Sequence, residues 1–168
     1  SPRSFQKNCR LVKVLLIRTA RESDLDVLAG LYMDLYDTLD GFGLPFSLDL
    51  NSIKDILSVM LKSKLCCVLV AEYKGTVCGF LTAGIARMDR KLKFAGESTI
   101  GTIHDVYIAP DYREKHIAAQ MLQKAETWFR DNGVKIIESN ILVENRVSAA
   151  FFHKNGYKEL ARIVYKEL

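Results

Sequence analysis

The residues with the most chemistry in this sequence lie between Gly101 and Gly133, in GTIHDVYIAPDYREKHIAAQMLQKAETWFRDNG. His104 and Asp105 are adjacent titratable side chains on a run, Thr102 to Ile108, whose composition suits a strand. An imidazole has an ordinary pKa of about 6.5, so this residue type exchanges protons near neutral pH. A short polar turn follows, Asp111 to Lys115, and then an amphipathic helix. Strand, basic turn and helix N-terminus together make an arrangement that can hold an anion. The first backbone N–H groups of a helix lack internal partners, and the helix dipole is positive there.

Several elements must position these groups. Pro110 cannot extend a central strand and closes the run before it. Ile117, Met121, Leu122, Ala125, Trp128 and Phe129 form one apolar stripe on the helix, which Asn132-Gly133 ends. Upstream, Lys13 to Arg18 reads as a first strand. Ser23 to Asp26 approximates a capping box ahead of a helix with Leu25, Leu28, Tyr32, Leu35 and Leu39 on one face. Gly41, Gly43 and Pro45 break that helix. Asp49 or Asn51 can cap a second one, striped by Ile53, Ile56, Leu57, Met60 and Leu61.

Cys66 to Ala71 is a continuous apolar run, suited to a strand buried on both faces. Lys74-Gly75 turns it into a returning strand, Thr76 to Ala86, and Arg87 to Ser98 is a polar, basic loop. Beyond Gly133, Lys135 to Val143 reads as a strand, Asn145 to Lys154 as a short helix, and Tyr157 to Tyr165 as a last strand. The order β-α-α-β-β-β-α-β-α-β combines an antiparallel hairpin with a parallel crossover, so the sheet is mixed with helices on both sides.

Composition narrows the class. The 168 residues are 49% hydrophobic and 26% charged, which suits one ordinary domain with a core. No apolar run approaches the roughly 18 to 20 residues that span a bilayer, and the N-terminal apolar run is too short for a secretory signal. The expectation is a cytoplasmic protein without a membrane partner. The net charge of +4 resides in residues 1–13, a basic arm holding Arg3, Lys7, Arg10 and Lys13; the remaining chain, a single domain over 14–168, is balanced. That distribution argues against a basic nucleic-acid face. Cys9, Cys66, Cys67 and Cys78 lack metal-ligand spacing, so no metal is expected and reduced thiols are.

The element order, together with VYIAPDYREKHIA, IRTARESDLDVLAGL and ENRVSAAFFHKNGYKEL, resembles the GNAT superfamily of N-acetyltransferases over about residues 14 to 168. The resemblance implies an α/β (α+β) fold: a mixed, mostly antiparallel sheet of six or seven strands flanked by four helices. It implies acetyl-CoA as cosubstrate, with backbone N–H groups of Arg113, Glu114, Lys115, His116, Ile117 and Ala118 around the pyrophosphate. It further implies that backbone groups of Val106, Tyr107 and Ile108 hold the acetyl and pantetheine parts. Two positions depart from the family pattern. His116 stands where Gly is usual, and Phe152 where a Tyr often protonates the leaving thiolate.

Acetyl transfer needs a neutral amine, a base or water path for its proton, and a donor for the oxyanion. His104, by residue type and place on the central strand, is the first candidate base, and Asp105 is the second. On an unbroken strand Thr102 would share a face with His104, while Ile103 and Asp105 take the other. Glu97 ranks lower, and Asn145 is expected to orient coenzyme or a water. Residues 22 to 55 hold eight acids against one base, Lys54, and by the resemblance they border the acceptor site. An acidic rim favours a cationic primary amine, on a small molecule or a peptide. Phe42, Leu44 and Phe46 can line the same pocket. A non-catalytic acyl-CoA sensor acting through a protein partner is the competing reading. With only twelve residues after Gly156, the sheet edge also leaves room for a homodimer.

Overall fold

The structure is a computed structural model that describes residues 14–87 and 99–168. The expected basic arm therefore lies outside the described residues, as do Glu97 and most of the basic loop. Among the described residues five strands form one sheet in the order β1-β2-β3-β4-β5: Leu15–Thr19, Cys66–Tyr73, Thr76–Arg87, Thr99–Ile108 and Ile137–Ser139. Neighbours are antiparallel except β4 and β5, which run parallel with Gly101 opposite Ile137. The mixed, mostly antiparallel sheet agrees with expectation; the count of six or seven strands does not.

Among the described residues four α-helices cover the sheet: α1 Leu25–Asp40, α2 Leu50–Lys62, α3 Ile117–Asp131 and α4 Arg146–Lys154. α1 and α2 pack Leu28, Tyr32, Ile53 and Leu57 onto Val68, Val70, Phe80 and Tyr107. α3 packs Ile117, Met121, Leu122 and Phe129 onto the opposite face, with Leu69, Leu81, Ala83 and Ile103. Leu28 and Leu57 are fully buried, and truncating either to Ala costs about 2–5 kcal/mol. Gly101 brings α3 close, since a Cβ there would meet the Phe129 ring at 2.6 Å.

Two local signals were realised and a third was not. Asp49 caps α2, its carboxylate accepting from the Asn51 N–H at 3.0 Å. Lys74 and Gly75 both take positive φ, as a two-residue hairpin turn demands. At α1, however, the expected Ser23 cap is replaced by a short 3-10 turn, Glu22–Asp24. There Asp24 accepts from the Arg21 N–H at 2.7 Å and pairs with Arg18 on β1, also at 2.7 Å. A buried carboxylate with two such donors outcompetes a solvated serine.

The last expected strand, Tyr157 to Tyr165, is absent. The segment is irregular and, past Tyr157, exposed; Val164 is 91% exposed. β5 is only three residues long, so it offers almost no ladder for another strand to join.

Candidate active site

The site is organised by a bulge in β4. Ile103 pairs with Ala83 and Asp105 with Thr82, so His104 is an extra residue with no partner on β3. The bulge breaks the alternation expected of an unbroken strand. Asp105 turns away from Ile103 and towards α1, where it accepts from the Tyr32 hydroxyl at 2.9 Å. His104 lies on that same face. Thr82 bonds the Tyr32 hydroxyl at 2.8 Å, and Gly84, two residues along the strand, has the His104 ring over it. A Cβ on Gly84 would stand 3.0 Å from His104 Nε2. Thus the expectation that His104 and Asp105 occupy opposite faces is corrected: one inserted residue places both towards α1.

Their environments differ. His104 is exposed, whereas Asp105 is half-buried beneath α1. Burial pushes the Asp105 carboxyl above its ordinary pKa, while the bond from Tyr32 and the nearby His104 pull it down. Burial and the Asp105 charge push the Tyr36 phenol up as well. Tyr32 is pushed up further, first by burial and then by Asp105. A carboxylate above its usual range is closer to the basicity a proton acceptor needs at neutral pH.

Beyond the bulge β4 loses its other neighbour. β5 ends at Ser139, opposite Ile103, and the Ser139 hydroxyl donates to the Ile103 carbonyl at 3.0 Å. The Ala109 N–H bonds Cys78 on the β3 side, so by alternation Ile108 and Val106 direct their backbone groups to the open edge. The Ile108 carbonyl accepts there from Arg113 Nε at 2.9 Å.

The turn after β4 is held from several sides. Arg113 lies over the Tyr107 ring at 5.6 Å, Lys115 over the Tyr73 ring at 5.5 Å, and Tyr112 meets Tyr73 edge-on at 5.8 Å. Glu114 and His116 both have positive φ, 62° and 56°. His116 is therefore a left-handed residue at the N-cap of α3, outside the helical first turn. A left-handed residue here explains why Gly suits the position, and a side chain bears strain there. The first N–H of the helix to find a backbone carbonyl is that of Gln120, on His116 at 3.2 Å. Among the described residues, the N–H groups of Ile117, Ala118 and Ala119 have no backbone partner. They fit the phosphate end of a coenzyme-like anion.

The remaining candidates divide. The Asn145 side-chain oxygen caps α4 through the Ser148 N–H at 3.1 Å, which leaves its amide nitrogen for other work. Phe152 is 7% exposed and stacks edge-on with Tyr157 at 5.1 Å, inside the α3-side core. The acidic span also divides: Glu22, Asp24 and Asp26 form ion pairs and Asp49 is a cap. Asp34 and Asp37 on α1 instead lie near enough to Tyr107 to raise its phenol, after burial. Among the described residues no cluster of His, Cys, Asp and Glu has a metal-binding arrangement, and no helix is long and apolar enough to cross a membrane. Cys67 and Cys78 are buried free thiols, with Cys67 pushed up to about 11 by burial.

Sequence reasoning missed Tyr32 and Thr82. Tyr32 was legible only as one member of an apolar stripe. The available signal was its hydroxyl, which needs a partner once the ring is buried.

A parted central strand, a helix-start anion cradle and a carboxylate on the facing side define an acyl-transferase type of fold. Residues 33–157 match the family model of the acetyltransferase (GNAT) family, and the chain belongs to that family. It is 32% identical over 68 residues to an aminoglycoside N(6')-acetyltransferase type 1 from Acinetobacter genomosp. 13, covering 40% of this chain and 47% of that protein. It is 24% identical to an uncharacterized N-acetyltransferase from Methanocaldococcus jannaschii, over 89% of this chain and 63% of the relative. The chain thus spans about half to two thirds of the length of these two relatives. A solved aminoglycoside N-acetyltransferase in complex with CoA has the same fold, with a TM-score of 0.76 at 18% identity, over 92% of this chain and 94% of that one.

Proposed function

We propose that this protein transfers the acetyl group of acetyl-CoA to a primary amine by direct attack in a ternary complex. The observation that carries the reading is the β4 bulge. It sets the Asp105 and His104 side chains towards α1, on the strand whose open edge leads to the α3 turn. The pyrophosphate sits at the free N–H groups of Ile117 and Ala118, with Arg113, Glu114, Lys115 and His116 forming the turn. The pantetheine runs along Val106, Tyr107 and Ile108. The amine nitrogen attacks the thioester carbonyl, and the Val106 N–H faces the oxyanion. Collapse of the intermediate expels the CoA thiolate, which takes its proton from solvent. The proton lost by the amine passes to Asp105, with His104 at the mouth of the same path. Asn145 orients the coenzyme through its free amide nitrogen.

The acceptor is cationic. Asp34 and Asp37 on α1 and Asp105 beneath it give the acceptor side negative charge, which attracts an ammonium group. A polyamine, an aminoglycoside or a lysine-bearing peptide has that chemistry, and the names of the Acinetobacter relatives favour the aminoglycosides.

The test is calorimetry with acetyl-CoA, then thiol release across a panel of such amines, for wild type and Asp105→Asn. Binding, turnover and a fall of about a hundredfold or more in kcat for the variant are expected. No binding at millimolar acetyl-CoA overturns the reading. Binding without thiol release from any amine supports the second reading, a non-catalytic acyl-CoA sensor, which the burial of Phe152 in the core favours.

A further inference from the structure

We propose that Tyr32, oriented by Thr82, is a positioning residue that holds the Asp105 carboxylate for proton acceptance from the amine. The inference rests on the role given to Asp105 above. The geometry is a three-member chain across three elements. The Tyr32 hydroxyl on α1 stands 2.9 Å from Asp105 Oδ2 on β4 and 2.8 Å from Thr82 Oγ1 on β3.

A phenol has one proton. Asp105 as a carboxylate can only accept, so the Tyr32 proton is directed to it. Thr82 must then donate to the Tyr32 oxygen. That assignment uses every donor in the chain and leaves Asp105 Oδ1 as the oxygen for the substrate proton. Tyr32 is 3% exposed and Thr82 fully buried, so water does not compete for the chain. The ring of Tyr32 is clamped by Phe80 at 4.3 Å, which fixes where its hydroxyl points.

The groups facing Asp105 are Tyr32 and Tyr36 from α1, Thr82 from β3, and His104 beside it on β4. Of these, Tyr32 alone donates a hydrogen bond to the carboxylate among the described residues. A donor to the charged form keeps a buried carboxylate ionised at lower pH. Without it, Asp105 holds its proton to higher pH and the base is lost on the acid side.

The experiment measures the pH profile of kcat/KM for wild type, Tyr32→Phe, Thr82→Val and the double variant, with Asp105→Asn as reference. In Tyr32→Phe the acidic limb moves up by about one to two pH units, and activity recovers on the alkaline side. Affinity for acetyl-CoA is unchanged. Thr82→Val moves the limb less, in the same direction, and adds nothing on top of Tyr32→Phe. Thermal unfolding of each variant separates loss of fold from loss of function. An unmoved limb in a folded Tyr32→Phe overturns the inference, as does a uniform loss at all pH values. Full activity in Asp105→Asn instead overturns the assignment of Asp105, and with it the role of Tyr32.

Discussion

Arg113 reaches back from the turn before α3 and donates through Nε to the Ile108 carbonyl, at 2.9 Å. The bond ties the turn before α3 to the free edge of β4. Arg113→Ala should release the turn that leads into α3. The loss of one hydrogen bond to a charged donor, about 1.5–3 kcal/mol, predicts roughly a tenfold or greater loss of acetyl-CoA affinity. Calorimetry would read it. Arg113→Lys should not restore the affinity, because an ammonium lacks the guanidinium's planar geometry.

His116 occupies a left-handed conformation at the N-cap of α3, with φ 56°. His116→Gly relieves that strain and is expected to raise stability by about 1 kcal/mol, and His116→Val to lower it by more. Urea unfolding of the three proteins checks the order. Acetyl-CoA affinity in the Gly variant should equal or exceed that of the wild type, since the backbone can then approach the phosphates without a Cβ.

Phe152 lies in the core against Phe151 and Tyr157. Phe152→Tyr would place a hydroxyl in apolar surroundings and is expected to cost about 1–3 kcal/mol. It should not raise kcat. A faster enzyme with the Tyr variant would show that the position opens onto the thiolate.

Asp105 contributes to the pH dependence of stability in a stated direction. Burial raises its folded pKa above the unfolded one, with the Tyr32 bond only partly offsetting it. In the window between the two, the native state binds more protons than the unfolded chain. Stability therefore falls as pH rises through that window, from the ordinary carboxylate value upward. Asp105→Asn removes the dependence. It should melt at or above the wild-type temperature at neutral pH while being catalytically impaired. Melting curves from pH 4 to pH 8 test both halves.

Asp24 has the opposite sign. The bond from Arg18 holds its carboxyl below the usual range, so its contribution is present near neutral pH and is lost as pH falls into the acid range. Acid unfolding should begin where β1 meets the start of α1.

The one-dimensional pattern determined the helices and the β2–β3 hairpin. Leu25 to Leu39 and Ile117 to Phe129 repeat at three and four residues, and that periodicity has few solutions in water. Lys74-Gly75 permits the positive φ values a tight hairpin needs. The same locality made the helix-start cradle legible, because unpaired N–H groups are a property of any helix beginning. The family match over residues 33–157 agrees with the sequence reading, which drew on motifs spread from the first strand to the end of the chain.

Tertiary contacts decided the rest. No residue type announces that His104 will be the extra member of a bulge; that depends on its register against Ala83 and Thr82. One unpaired residue reversed the face of Asp105, and with it the base candidate's partners. The left-handed turn at His116 follows from the turn being pinned to Ile108, Tyr107 and Tyr73 by Arg113 and Lys115. The apolar segment after Tyr157 had strand-like composition but no ladder to join, because β5 stops at Ser139. Helical periodicity is a local property of the chain. Strand partners, bulges and buried polar chains are pairwise choices between distant residues, made only when the chain folds.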